Sequence, residues 1–304
     1  MYFVKRILFI VPLLLIISLL AFVLMHSIPG GPFDRDRVPA SPEIEHHLMA
    51  EYHLDEPLLK QYVRFLGGIL HGDFGPSLKY RNHSVSDIIA QGLPVSMAVG
   101  LASFCFALGV GIPQGCFIAV HKGSWKDYGG SFIALLVICV PGLVIGPILI
   151  MYFAIKLRWF PVGLWGSPWH AILPTLTLGL YFSGRVARLM QEGMLNVLNA
   201  EFIMTARAKG LSETAVLIKH AFRIAVLPVL SYSGPLLADL LTGSFVVENL
   251  FQLPGIGVFM VNSCLNRDYT MVCGLVLVYS ALLLALNVAV DFAYGWLDPR
   301  VRFE

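Results

Sequence analysis

A chain of 304 residues, 57% hydrophobic and only 13% charged with a mean hydropathy of +0.75, exceeds the roughly 45 to 50% apolar content of soluble domains and is excluded from that class. A formal net charge of +2 argues against a nucleic-acid partner, so the positions of the basic residues matter more than their sum. The five cysteines, Cys105, Cys116, Cys139, Cys264 and Cys273, lie mostly in apolar runs without CxxC or metal-ligand spacing and read as small buried hydrophobes.

The chain opens with Lys5 and Arg6 before an apolar run from Ile7 to Met25. A secretory signal has an apolar core of about 7 to 15 residues and a small-residue cleavage site, so this longer run, ending in HSIPGGP, predicts a retained transmembrane helix within residues 1–28. Residues 29–93 form the one sizeable hydrophilic stretch, an extracytoplasmic loop region in which Glu43 to Glu51 and Pro57 to Leu70 have helical apolar spacing. His46, His47, Glu51 and His53 invite a metal reading, but their spacing is not HExxH or another tight ligand set, and they read as exposed helix residues with no metal. His71 to Ser77, HGDFGPS, is turn chemistry.

Residues 94–304 hold five further apolar segments: Pro94 to Val120, Gly130 to Ile155, Trp169 to Ala187, Ile224 to Val247 and Met271 to Trp296. Each can cross about 30 Å of hydrocarbon, which predicts an all-α polytopic membrane protein of six transmembrane helices. Six crossings put both termini on one side. Lys5, Arg6, Lys122, Lys126, Arg185, Arg188, Arg207, Lys209, Lys219, Arg223, Arg300 and Arg302 then gather on that side, against Lys156, Arg158 and Arg267 in the short loops opposite. The positive-inside rule makes the first side cytoplasmic.

The longest cytoplasmic segment, about 188–223, is polar, basic and interrupted by Gly210. Two short helices are expected there, Ala200 to Lys209 and Glu213 to Phe222, with Gly210 ending the first, Ser212 capping the second, and Val216, Leu217, His220 and Ala221 forming an apolar knob. No GxxxxGK[ST] loop occurs in the chain, so the energy for active transport has to come from a partner, and a short amphipathic helix pair suits docking into a partner's groove. The other reading is an interfacial helix pair whose basic residues meet lipid headgroups. Catalytic residues are expected to be none: GxSxG and HExxH are missing, and His170 and His220 lie at segment ends. A membrane scaffold without transport stays open on chemistry alone.

TARAKGL at Thr205 to Leu211, followed by KHAFRIAVLPVLS at Lys219 to Ser231, resembles the cytoplasmic coupling loop of permease subunits of bacterial ABC importers. The general importer pattern is Glu-Ala-Ala, three residues, then Gly; aligned on Gly210 this chain has Met204, Thr205 and Ala206, so the Glu is replaced and only the second Ala matches. HGDFGPS, LPGIG at Leu253 to Gly257, NRDY at Asn266 to Tyr269 and the ending DPRVRF from Asp298 to Phe303 resemble the dipeptide and oligopeptide branch in order, and most closely its B-type permease. The resemblance implies the type I permease fold of ABC importers with a cytoplasmic coupling-helix loop, in the bacterial inner membrane. It also implies a second permease subunit, two cytoplasmic ATPase subunits that carry ATP and Mg, an extracytoplasmic solute-binding protein and a peptide cargo. This chain itself would bind no cofactor. Relatives of that branch also carry nickel complexes or glutathione, which remain alternative cargoes.

By that resemblance, Thr205, Ala206, Arg207, Ala208, Lys209, Gly210 and Leu211 are the expected ATPase-coupling residues, with Ala206 and Ala208 allowing close approach and Arg207 and Lys209 pairing with acidic partner groups. Polar residues at membrane depth usually face a bundle interior, which makes Ser231, Tyr232, Ser233, Asp239, Thr242, Ser244, Asn287 and Asp291 candidates for the translocation path or a subunit interface. Asp239 is expected to pair with an Arg, a hydroxyl or a backbone group on a neighbouring helix, or to meet a peptide amino terminus. The irregular run from Val247 to Gly257 should fold back at the outer surface. Pro254, Gly255, Gly257, Arg267 and Asp268 are candidates there for an outer gate or a binding-protein contact, with a structural cap as the alternative.

Overall fold

The structure is a computed structural model that describes residues 2–28, 49–80 and 83–297, with side chains described for 8–28, 49–80 and 83–289. His46, His47, the start of the helix expected from Glu43, and the DPRVRF ending lie outside the described residues. Among the described residues we label twelve helices in order. They are α1 (Tyr2–Ser27), α2 (Leu58–Leu70), α3 (Val85–Val120), α4 (Trp125–Cys139), α5 (Gly142–Leu149), α6 (Pro168–Leu198), α7 (Glu201–Ala208), α8 (Glu213–Ala225), α9 (Leu227–Leu241), α10 (Phe245–Leu250), α11 (Ile256–Asn266) and α12 (Tyr269–Leu297).

Three helices are long and apolar enough to cross a membrane: Leu8–Ser27 of α1, all of α3, and Tyr269–Ala289 of α12; two bent pairs raise the total to five among the described residues. Length and composition therefore do not by themselves recover six crossings. The expected Gly130 to Ile155 span is broken where Val140 stays extended before Pro141, and α4 meets α5 and its π-helical continuation Ile150–Lys156 at 102°. Proline forces this, because its ring clashes with a helical residue before it. The expected Ile224 to Val247 span also differs: α8 and α9 bend by 49° at Val226, and α9 stops at Leu241 because Gly243 takes φ +85° and Ser244 starts α10. The fourth expected span lies within α6, whose Arg185, Arg188, Gln191 and Glu192 make it too polar to pass on composition.

The chain divides into two units, residues 1–96 with 254–304, and residues 97–253. In the first, Val85, Ile88 and Ile89 of α3 pack with Ile256 of α11 and Met271 and Leu275 of α12, while Met25 at the end of α1 packs on Tyr269 and Val272. In the second, α6 is the central helix. Its Val186, Met190, Met194 and Val197 form one core with Ile203 and Ala206 of α7, Val216, Ala221 and Ala225 of α8, and Val229, Leu236 and Leu240 of α9.

Glycine sets how closely these helices approach. A Cβ on Gly111 of α3 would lie 2.6 Å from the Ser183 carbonyl oxygen, and one on Gly115 would meet the Ala187 carbonyl and Met190. This GxxxG spacing on α3 lets its backbone press against α6, the close packing favoured between helices in a membrane, where no hydrophobic force drives association. Of the cysteines expected to be buried, only Cys273 is; Cys116 is half-buried, and Cys105, Cys139 and Cys264 are exposed. An apolar run in this chain has a side open to lipid, so position in such a run does not imply burial.

Candidate functional site

The loop between α6 and α9 is built on its own core. Asn199 ends α6, Ala200 is extended, and α7 runs from Glu201 to Ala208 with Ile203 fully buried and Ala206 nearly so. Lys209 N–H donates to the Thr205 carbonyl and Gly210 N–H to Arg207, and Gly210 then turns the chain with φ +78°, a conformation that costs an L-residue about 1–2 kcal/mol. Ser212 is extended and its Oγ accepts from Ala215 N–H at 3.4 Å, starting α8. Residues Val216–Ala221 widen into a π-helical turn before Phe222–Ala225 completes α8. A Cβ on Gly193 would strike the Ala225 carbonyl, so α6 and α8 cross at backbone contact.

This arrangement changes the roles expected of individual residues. The knob expected at Val216, Leu217, His220 and Ala221 faces inward: Val216 and Ala221 are fully buried and the other two half-buried. Ala206 likewise packs into the chain's own core, so it cannot give close approach to a partner; Ala208 is exposed and can. Arg207 is already engaged within the chain, its Nη2 donating to Glu213 Oε1 at 2.6 Å and its Nε to Oε2 at 3.1 Å. The pair raises the Arg207 guanidinium above its ordinary value and holds the Glu213 carboxyl below the usual carboxylate range. Exposed around the turn are Thr205, Arg207, Ala208, Lys209, Gly210 and Leu211, joined by Met204, which stands at the Glu position of the importer pattern, and by Phe202, which the motif did not single out. No local signal marks Phe202 as exposed: it and Met204 flank Ile203 on a helix whose buried side has room only for Ile203 and Ala206.

The same unit leaves a polar face open along two helices. On α6, Tyr181, Arg185, Arg188, Glu192 and Asn196 recur at three- and four-residue spacing, one helical stripe, and all are exposed or half-exposed. Arg185 Nη2 donates to Tyr181 Oη at 2.7 Å, and Tyr232 of α9 lies beside the same guanidinium. On α9, Ser231, Pro235 and Asp239 form an exposed stripe opposite the buried Val229, Leu236, Ala238 and Leu240. The Ser231, Ser233 and Thr242 hydroxyls donate to the Leu227, Val229 and Asp239 carbonyls of their own helix or turn, and Ser244 caps α10. The Asp239 carboxylate makes no side-chain hydrogen bond or ion pair among the described residues, so the neighbouring-helix partner expected for it is not found there. Asn287 lies half-buried on α12 in the other unit, and Asp291 lies outside the described side chains.

The residues expected at the outer surface divide. Asp268 is fully buried, and its carboxylate accepts from Ser77 Oγ, from the N–H of Leu78 and Lys79 at 3.2 Å each, and from Thr270 Oγ1 and Met271 N–H at 3.1 Å each. It caps α12 and gathers the 77–79 loop; a buried group cannot also contact a binding protein. Gly255 and Gly257 are buried, and Ile256 N–H donates to Ser96 Oγ at 3.0 Å, which makes this turn a packed joint. Pro254 is exposed and Arg267 half-exposed at φ +57°. The HGDFGPS turn is structural as well: Gly72 and Gly75 have positive φ, Asp73 Oδ1 accepts from Gly75 N–H at 2.8 Å, and Pro76 bridges Ser84. Among the described residues no group of three or more His, Cys, Asp or Glu could hold a metal ion; Glu51 and His53 instead line a cavity of about 390 Å³ beside Phe22, His26, Gln61 and Tyr269.

Comparison with known proteins gives consistent matches along the chain. Residues 111–303 match the family described as binding-protein-dependent transport system inner membrane component, and residues 1–100 match that family's N-terminal part. The chain is 41% identical to the oligopeptide transport system permease protein OppB of Haemophilus influenzae over 98% of each chain. It is 40% identical to the dipeptide transport system permease protein DppB of Bacillus subtilis, over 100% of this chain and 98% of the other, and 40% identical to Escherichia coli OppB over 99% of each. The fold is similar to that of a chain of the MetNI methionine ABC transporter, with a TM-score of 0.60 at 15% identity over 69% of this chain and 96% of the other.

Proposed function

The chain belongs to the family of binding-protein-dependent transport system inner membrane components, a multi-pass protein of the inner membrane, and from that premise we propose that it forms half of a peptide translocation path. In this reading a second permease completes the path, two ATPase subunits supply ATP and Mg from the cytoplasm, and an extracytoplasmic binding protein delivers the peptide. Relatives alike along essentially the whole chain are named oligopeptide and dipeptide permeases, which supports a peptide as cargo. In the same reading both termini and the α7–α8 loop are on the cytoplasmic side, which the distribution of Lys and Arg supports.

The observation that carries the reading is the build of the loop itself. Helix α7 is fixed from below by Ile203 and Ala206 in the core of α6, α8 and α9, and it presents Phe202, Met204, Thr205, Ala208, Lys209 and Leu211 outward. A helix so anchored cannot slide independently; force applied to its outer face passes into α6 and α9. Those two helices carry the open polar stripes, Arg185 and Tyr181 on one and Ser231 and Asp239 on the other, which would line the path between the permeases. Chemistry stays on the ATPases, and this chain turns their closure into helix movement.

Reconstitution of the chain with a second permease, both ATPases and the binding protein tests this. Peptide-loaded binding protein should raise ATP hydrolysis and labelled-peptide uptake together. Hydrolysis without uptake of any di- or oligopeptide would remove the cargo assignment, and uptake indifferent to the ATPases would remove the coupling assignment.

A further inference from the structure

Helix α2 lies in the stretch whose composition reads as a hydrophilic loop, yet it leaves a row of large apolar side chains open. Leu59, Val63, Leu66 and Leu70 recur at four, three and four residues, which puts them on one face, and Leu59 is 75% exposed, Val63 60% and Leu70 86%. No residue of α2 is buried. Lys60 and Arg64 occupy the adjoining side, at 3.0 and 2.8 Å from Glu56. The other flank carries Tyr62, whose Oη lies 2.9 Å from Ser18 Oγ of α1 and donates to the Leu15 carbonyl at 3.2 Å, with its ring 5.3 Å from that of Phe22. Gln61 Oε1 meets His26 Nε2 at 3.3 Å near the end of α1.

These contacts fix a depth. The apolar run of α1 ends at Met25, and Ser18, seven residues earlier, lies about 10 Å below that end at 1.5 Å per residue. A helix whose tyrosine reaches Ser18 and whose glutamine reaches His26 sits at the boundary between headgroups and hydrocarbon. At that level α1 leaves Leu19, Leu20, Val23 and Leu24 open, the surface that a spanning helix offers to acyl chains, and the open row of α2 continues this belt. We propose that α2 is a membrane-surface helix: Leu59, Val63, Leu66 and Leu70 sink among the acyl chains of the leaflet reached by the end of α1, while Lys60 and Arg64 stay at headgroup level. An apolar row of this size facing water would be anomalous, whereas one facing lipid is expected. The inference rests on the membrane placement of α1 and holds whatever the cargo.

An environment-sensitive fluorescent amino acid placed at Val63 or at Leu70 in the reconstituted complex, and at Lys60 for contrast, tests it in bilayers with and without acyl-brominated lipid. At Val63 and Leu70 the brominated lipid should remove about half of the emission or more and aqueous iodide about a tenth or less, with the order reversed at Lys60, as a depth of ~5–10 Å requires. Iodide quenching at Val63 and Leu70 would overturn the proposal by placing the row in water. Quenching by neither agent would overturn it by placing a protein partner, the second permease or the binding protein, over the row. Two independent positions keep the test decisive if one substitution prevents assembly.

Discussion

Arg207 holds Glu213 with two hydrogen bonds across the Gly210 turn, Nη2 to Oε1 at 2.6 Å and Nε to Oε2 at 3.1 Å. The pair ties the last turn of α7 to the first residue of α8, so the loop closes on itself before any partner meets it. Glu213 titrates below the usual carboxylate range because of Arg207. Its contribution is therefore present above the unfolded carboxylate value and is lost as pH falls through the lower folded one. Glu213→Gln at neutral pH should reproduce what acid does to the wild type: faster proteolytic cutting between 207 and 213, with the complex still assembled. Equal cutting rates in wild type and variant at pH 7 would show that the pair does not order the loop. Both groups are solvent-exposed, so high salt should weaken the effect.

Gly210 has open space where a Cβ would be, so its substitution tests backbone conformation and not packing. Gly210→Ala should strain the turn by about 1–2 kcal/mol and lower ATP-driven uptake several-fold while leaving the amount of chain in the membrane nearly unchanged. Gly210→Glu, which adds a charge at the proposed docking surface, should abolish coupling between hydrolysis and uptake. If both variants transport at the wild-type rate, the turn has no part in coupling.

At Gly193 the opposite holds, because an added Cβ meets the Ala225 carbonyl oxygen directly. Gly193→Ala should force α6 and α8 apart and lower thermal stability of the detergent-purified complex, with a cost of about 1–3 kcal/mol. Gly109, with nothing near its absent Cβ, is the control: Gly109→Ala should leave the melting temperature unchanged or raise it. Equal melting temperatures for the two variants would contradict the close crossing.

Asp268→Asn replaces a carboxylate surrounded by donors with an amide that brings donors of its own. At least one N–H of Leu78, Lys79 or Met271 then loses its acceptor, at about 1–3 kcal/mol per buried group. The expected result is loosening of the 77–80 segment and of the start of α12, read as faster amide exchange there, while exchange in α7 and α8 is unchanged. A variant that loses binding-protein affinity with native exchange rates would restore Asp268 as a contact residue.

Asp239 is exposed on α9, and no described residue pairs with it. Asp239→Asn should therefore lower peptide uptake more than it lowers yield or stability of the complex, since no contact within this chain is broken. Loss of the assembled complex in detergent, without a transport defect in what survives, would assign Asp239 to the subunit interface.

How much of this was legible in the sequence differs from element to element. The first and last apolar runs appear as α1 and α12 because a long unbroken apolar stretch leaves only a helix to satisfy its backbone. Gly210 and Ser212 marked the turn between α7 and α8 because a left-handed residue and a cap are local requirements. The bend at Val140 was available in principle from the proline that follows, but a run of hydropathy conceals it. Phe202 and the α6 stripe carry no local signal, because their exposure depends on which faces of α7 and α6 the other helices cover.

The sequence by itself determined what depends on composition and short-range geometry: a membrane protein, helices, and the loop motif that announces the family. Only the tertiary structure decided which face of each helix is used. It turned Val216, Ala221 and Ala206 inward, closed Arg207 onto Glu213, buried Asp268 as the cap of α12, and laid α2 beside α1. The physical reason is that burial is a property of a side chain and its neighbours together. In a chain this apolar, the contrast between hydrophobic and polar residues that marks the inner face of a soluble helix is largely missing, because lipid and core accept the same side chains.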